Sequence, residues 1–414
     1  MNRSRIDEMI SRQEGIKEIT RENIKLIQLK KLNELLCREN TRKGFYSNLP
    51  KSLNSLDELS SLPFTTDEDL SSNAPGLLMV SQSEIQRVLS DATSGTTGAA
   101  KRVFYTEQDC ENTIQLFMAG LGELIFKGSR TMICMPFSGP FGLGELIAEA
   151  IRRLGAVPLK TGVCKTFGEL ASILETERPD TFVGMPVQLI GLLRYCGKGS
   201  LERALVSGDS CPESVIEECE RILGSRLFPH YGSREIGLAG AITCPAHSGM
   251  HLRENHTIAE IIDENGNVLP EGEYGELVVT TIGMQAMPLI RYKTGDITRI
   301  IPGKCQCGSE VIRLDDIRRK ETEDIYELDN QLFTLSGLID YSAELSGNTI
   351  TINAITKGNL AAEDINALLK TPAKVNCRPA EDSDKSMYAG KRAILCPQEG
   401  LAAKLTKNCA NHMI

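Results

Sequence analysis

The stretch SDATSGTTGAAKRVFYT, residues 90–106, sets hydroxyl and glycine positions side by side and follows them with one lysine. Gly95 and Gly98 let the backbone bend tightly and bring its N–H groups close to an anion. Thr93, Ser94, Thr96 and Thr97 add hydroxyl donors, and Lys101 adds a cation. Those are the groups that cradle a polyphosphate. The loop is not of the Walker type: no glycine precedes the lysine, no Ser or Thr follows it, and KRVFYT reads as strand rather than helix. A second constellation lies apart from the first. TCPAHSGMH supplies Cys244, His247 and His251, and KCQCGS supplies Cys305 and Cys307. Thiolates and imidazole are the soft ligands that a closed tetrahedral zinc takes. Cys244, Cys305 and Cys307 with one of the two histidines would fill such a structural site and clip the β-rich part of the chain together. The other cysteines are scattered and read as small apolar residues.

Elements must hold these groups in place. Residues 1–60 read as helices: IKLIQLKKLNELLCRE repeats apolar residues at spacings of three and four, and SLDELSSLPFTT reads as a short capped helix before a turn. Between about 85 and 235 strands and helices alternate. RTMICMPF, AVPLK, TFVGMP and RALVSGD are strands; GLGELIAEAIRRLGA, TFGELASILETERPD, VQLIGLLRYC and CPESVIEECERILG are helices. That alternation predicts a largely parallel sheet covered on both faces, an α/β fold. Beyond 250 short β segments with the turns ENGN and PEGE predict a β-rich subdomain. The charged run near Arg318–Asp324 divides an N-terminal domain, 1–318, from a small C-terminal α+β domain, 319–414.

Composition narrows the class of function. A net charge of −9 argues against a nucleic-acid or anionic-membrane surface. No run of about eighteen apolar residues is present, so no membrane span is expected. The N-terminus lacks an apolar signal core, and thirteen cysteines suit a reducing compartment, so the expected location is the cytoplasm. A homodimer is among the assemblies the sequence leaves open.

TSGTTGAAK resembles the signature loop of the adenylate-forming superfamily, the acyl- and aryl-CoA ligases. HYGSREIG (230–237) and RYKTGD (291–296) are similar to two further motifs of that superfamily, in the same order. The string from Gly249 to Ile300 is close to the phenylacetate–CoA ligase branch, which includes the coenzyme F390 synthetases. The match is good over residues 75–318 and poor over the last stretch. The resemblance implies ATP-dependent activation of a small carboxylic acid as an acyl-adenylate, then transfer to CoA or another thiol. It also admits an adenylyltransferase of the F390 type, which stops at AMP transfer. A non-catalytic nucleotide-binding protein is the reading of a different class, suggested by the altered hinge.

The same resemblance implies roles. The loop with Lys101 would shield the β- and γ-phosphates, and Glu235 would hold Mg²⁺. Tyr231, in the turn with Gly232 and Ser233, would stack on adenine, and Asp296 would accept hydrogen bonds from the ribose. Ser207, Gly208 and Asp209 would line the adenine and acyl side of the AMP site. The hinge text RRKETEDIYEL keeps an acidic pair, Glu323 and Asp324, but lacks the superfamily's glycine, and either Arg318 or Arg319 would serve the ribose. YAGKRAIL makes Lys391 the lysine that would reach the reacting carboxylate and α-phosphate, with Lys385 behind it.

Overall fold

The parallel strands form where the sequence runs apolar without interruption. In the computed structural model, which describes residues 4–91, 101–388 and 391–395, Thr181–Gly184 is buried along its whole length. It pairs in parallel with Arg130–Ile133 on one side and Arg203–Val206 on the other. Val157–Lys160 extends the ladder beyond Arg130–Ile133, and Phe228–Pro229 extends it beyond Arg203–Val206. Parallel strands need crossover connections, which the helices Leu143–Arg153, Phe167–Thr176, Pro186–Cys196 and Glu213–Leu223 supply. Their ends follow their residues. Thr166 and Glu169 close a capping box at 2.8 and 3.1 Å, and Glu213–Leu223 stops at Gly224 with φ of 76°.

The described residues fall into two compact units. The parallel ladder belongs to the one built from Leu124–Pro229 and the described residues from Arg318 onward. Its later part is the expected α+β arrangement. The helix Glu323–Leu332 precedes an antiparallel hairpin, Leu338–Ser346 with Thr349–Thr356, and Lys374–Pro379 then pairs in parallel with the hairpin's second strand. Phe167, Leu189 and Leu193 share one buried apolar cluster with Phe333, Leu338 and Tyr341.

The other unit takes residues 4–91 and 101–123 with His230–Ile317. It holds the helices Arg5–Glu14 and Arg21–Arg42 and the antiparallel meander Ile258–Ile262, Gly275–Thr280, Tyr292–Thr298. A second antiparallel run joins Ala241–Thr243, Met250–Leu252, Arg313–Leu314 and Ile300–Ile301. The mixed α/β class expected from the sequence is therefore present. One local expectation needs correction. SLDELSSLPFTT forms a 3₁₀ segment, Leu56–Ser61, and only then the α-helix Asp67–Ser72. KRVFYT is the expected strand, Lys101–Thr106, and pairs antiparallel with Ile85–Asp91. Ile85–Asp91 carries no clear apolar stripe, because both faces of a two-stranded ribbon stay partly open and Val88 is exposed. No helix among the described residues is long and apolar enough to cross a membrane.

Candidate active site and candidate metal centre

Lys101 opens its strand, and its Nζ lies 2.6 Å from Glu235 Oε1, 2.8 Å from Asp67 Oδ1 and 2.7 Å from the Tyr292 hydroxyl. The Tyr292 hydroxyl in turn donates to the same oxygen of Asp67. Burial disfavours the ammonium, but the Glu235 and Asp67 carboxylates beside it outweigh that and leave Lys101 above its usual pKa range. Tyr105, fully buried on the same strand, donates to the Arg234 carbonyl at 2.6 Å and so holds strand and turn in register. Sequence reasoning missed Asp67 and Tyr292 as partners of Lys101. Tyr292 stands inside a motif already singled out, whereas an acidic residue in a first helical turn carries no signal of its own.

The turn after strand Phe228–Tyr231 is built on close backbone approach. A Cβ on Gly232 would lie 2.1 Å from the Leu238 carbonyl oxygen, so this position requires glycine. Ser233 Oγ, next in the chain, is buried and has no hydrogen-bond partner among the described residues. An orphaned hydroxyl two residues before Glu235 suits a ligand oxygen there. The Tyr231 hydroxyl donates to Asp296 Oδ2 at 2.7 Å, which joins the two motifs. Asp296 is delivered by a strand that bends at Gly295, φ 72°, with Thr294 Oγ1 accepting the Asp296 N–H at 3.1 Å.

In the other unit, strand Arg203–Val206 ends with the Ser207 N–H donating to the Gly184 carbonyl at 2.9 Å. Gly208 takes φ of 93°, a conformation that side chains resist. Asp209 Oδ1 accepts the Ser210 N–H at 3.0 Å and Oδ2 accepts the Arg392 N–H at 2.8 Å. Both oxygens are thus engaged by backbone, and burial raises the carboxyl's pKa against those two bonds. Lys391 is exposed beside the buried Arg392, and Lys385 is also exposed. Arg318 lies over the Tyr326 ring at 4.6 Å, and Arg319 Nε sits 3.6 Å from Glu321. Thr93, Ser94, Gly95, Thr96, Thr97 and Gly98 lie outside the described residues.

The metal constellation converges. The ligand atoms of Cys244, His251, Cys305 and Cys307 all lie within 4.8 Å of one another. Cys244 and Cys305 sulfurs are 3.7 Å apart, and a tetrahedral centre with Zn–S bonds of about 2.3 Å separates its sulfurs by about 3.8 Å. Cys307 Sγ is 3.5 Å from His251 Nε2, while His251 Nδ1 is 3.3 Å from the Val311 carbonyl, which turns Nε2 toward the thiols. Between the two histidines the geometry selects His251. His247 is not one of the four; its N–H closes a turn onto the Cys244 carbonyl at 2.9 Å, with φ of 48°.

The family model described as AMP-binding enzyme matches residues 90–287. A phenylacetate–coenzyme A ligase of Aromatoleum evansii is 30% identical over 312 residues, 70% of this chain and 69% of that protein. A phenylacetate–coenzyme A ligase of Thermus thermophilus is 29% identical over 328 residues, 74% of this chain and 72% of that protein. Among solved structures, 2-hydroxyisobutyryl-CoA ligase in its postadenylation state superposes with a TM-score of 0.71 at 18% identity, covering 92% of this chain and 89% of that one. That likeness establishes the fold. Motifs, fold and relatives agree, and the chain belongs to the AMP-binding enzymes, in the phenylacetate–coenzyme A ligase family.

Proposed function

We infer that this chain activates a carboxylic acid with ATP as an acyl-adenylate and passes the acyl group to coenzyme A. The observation that carries the reading is the orphaned, buried Ser233 hydroxyl in the turn that also presents Glu235 to Lys101, within a chain of this family. In the first half-reaction one carboxylate oxygen bonds to the α-phosphorus of ATP, the bond to the bridging oxygen breaks, and pyrophosphate leaves. In the second the thiol sulfur bonds to the acyl carbon. AMP departs with the former carboxylate oxygen, and the thiol proton passes to solvent.

The chain's residues divide this work. Lys101 and the loop 93–98 would screen charge on the departing pyrophosphate. Glu235 would be the hard oxygen ligand for Mg²⁺, which would supply Lewis-acid neutralisation of phosphate charge when bound. Tyr231 would stack on adenine, with Asp296 and Arg318 toward the ribose. Lys391 would bridge the attacking carboxylate and the α-phosphate, and the segment beyond 318 would move between the half-reactions. Cys244, His251, Cys305 and Cys307 form a donor set that fits structural Zn²⁺, three thiolates and one imidazole with no place left for substrate. We place the enzyme in the cytoplasm, where such thiols stay reduced.

A panel of carboxylic acids scored for pyrophosphate release, with and without CoA, tests this. Pyrophosphate should appear only with an acceptable acid, and thioester only when CoA is added. Pyrophosphate release without any thioester would turn the reading toward an adenylyltransferase, and release with no acid would overturn it.

A further inference from the structure

Arg392 is a guanidinium buried to 4% exposure, next in the chain to the exposed Lys391. Burying such a group is costly unless its donors are met in good geometry. Here they are. Nε lies 3.2 and 3.1 Å from the two Asp329 oxygens, Nη1 donates to Asp340 Oδ1 at 2.9 Å, and Nη2 donates to the Tyr341 carbonyl at 3.1 Å. The Tyr341 hydroxyl donates to Asp329 at 2.6 Å, and the Tyr341 and Tyr388 rings each flank the guanidinium at 4.7 Å. The flanking backbone is tied down as well. The Met387 N–H donates to Asp340 Oδ2 at 2.8 Å, the Arg392 N–H to Asp209 Oδ2 at 2.8 Å, and the Leu395 N–H to the Ala343 carbonyl at 2.9 Å.

We propose that Asp209 and Arg392 are positioning residues that fix the segment bearing Lys391 and so present its ammonium for adenylation. This rests on the role given to Lys391 above. Asp209 is the end of the Ser207–Gly208–Asp209 turn, and its two carboxylate oxygens serve the Ser210 and Arg392 backbone, so its side chain acts on Lys391's neighbour. The turn and the segment bearing Lys391 are thereby tied to each other. A long flexible side chain gains its catalytic geometry only when its backbone is held, since a displacement of about 1 Å costs roughly a hundredfold in rate.

The test uses the full-length enzyme and measures two half-reactions: pyrophosphate release from acid and ATP, and thioester formation from synthetic acyl-adenylate and CoA. Phenylacetate and phenylacetyl-adenylate are the probes, replaced by the fastest acid of the panel where that is another. Asp209→Asn should slow adenylate formation by roughly ten- to a hundredfold while the KM for ATP stays within about twofold. Thioester formation and Tm should stay near wild type. Adenylation unchanged overturns the proposal; so does a parallel fall in both half-reactions and Tm, which would make the network merely structural. Arg392→Lys, which keeps charge but loses the planar fork, must show the same split and decides the matter if Asp209→Asn does not fold. Lys391→Ala in the same series separates the two readings. If it leaves adenylation intact, the role of Lys391 is wrong; if it abolishes adenylation while the other variants do not, the positioning proposal alone is wrong.

Discussion

Lys101 is compensated by two carboxylates and a phenol. In the role proposed above, its charge and that of Glu235 act where pyrophosphate gathers charge, so the loss on mutation would fall in turnover. Lys101→Ala and Glu235→Gln should each lower kcat for pyrophosphate release by about 10²–10³ and leave the KM for the acid nearly unchanged. Steady-state kinetics with near-wild-type kcat in both variants would remove these residues from the site. Gly232→Ala should cost about 1–3 kcal/mol of stability in a denaturant melt, because the Leu238 carbonyl at 2.1 Å from the new Cβ is backbone and yields little. At this scale the sequence was informative where chemistry imposes a residue type. Glu235, Tyr231 and Asp296 stand in motifs, and His251 needed only the fold to be chosen over His247. Asp67 and Arg392 were illegible, because their role comes from what the fold sets against them.

Strand and helix positions explain how such residues converge. Cys244 follows strand Ala241–Thr243, His251 lies within its partner Met250–Leu252, and Cys305 and Cys307 sit on the knuckle between Ile300–Ile301 and Arg313–Leu314. A cation held by all four would therefore fasten one end of an antiparallel run. Purified protein should carry close to one zinc per chain, and Cys305→Ala should lower stability by about 4 kcal/mol or more while the KM for ATP changes little. Metal analysis finding no zinc would refute the clip. The neighbouring strand Phe228–Tyr231 gives a pH dependence. His230 is buried with its ring stacked on Phe117 at 4.8 Å, and burial lowers its pKa to about 4. The unfolded chain binds this proton near pH 6.5, so the contribution is full above that value and is lost as pH falls toward 4. It amounts to something on the order of 3 kcal/mol. Urea melts between pH 7.5 and 4.5 should show an acid limb that His230→Gln flattens; an identical limb in both proteins would assign it elsewhere. Long elements such as Arg21–Arg42 and the parallel ladder were readable from periodicity. The ribbon strand Ile85–Asp91 was not, since a half-exposed strand leaves no apolar pattern.

For the molecule as a whole, the charged run after Arg318 looks from the sequence like the edge of a separate domain. Contacts inside the unit that holds the parallel ladder pull the other way. Arg194, at the end of helix Pro186–Cys196, donates to the carbonyls of Leu338 at 2.7 Å and Phe333 at 2.6 Å. The Phe167 and Gly168 N–H groups donate to the Asp384 and Asp382 carbonyls at 2.6 and 3.1 Å. Phe167, Leu189 and Leu193 bury their apolar surface in the same cluster as Phe333, Leu338 and Tyr341. Polarity periodicity reports that a face is buried but not which later segment covers it, so this partnership had no trace in the local pattern. A chain ending at Arg318 should therefore lose more than its lysine. Each large apolar side chain left uncovered forfeits about 1.5–3 kcal/mol, and a few of them consume most of a domain's net stability of about 5–15 kcal/mol. The truncated chain should melt broadly and bind a hydrophobic dye, whereas Lys391→Ala in the full chain should melt like the wild type. Cooperative melting of the truncated chain at the wild-type temperature would show that residues beyond 318 fold apart and are free to turn as a body. Loss of cooperativity would show that residues beyond 318 complete the apolar core shared with Phe167, Leu189 and Leu193.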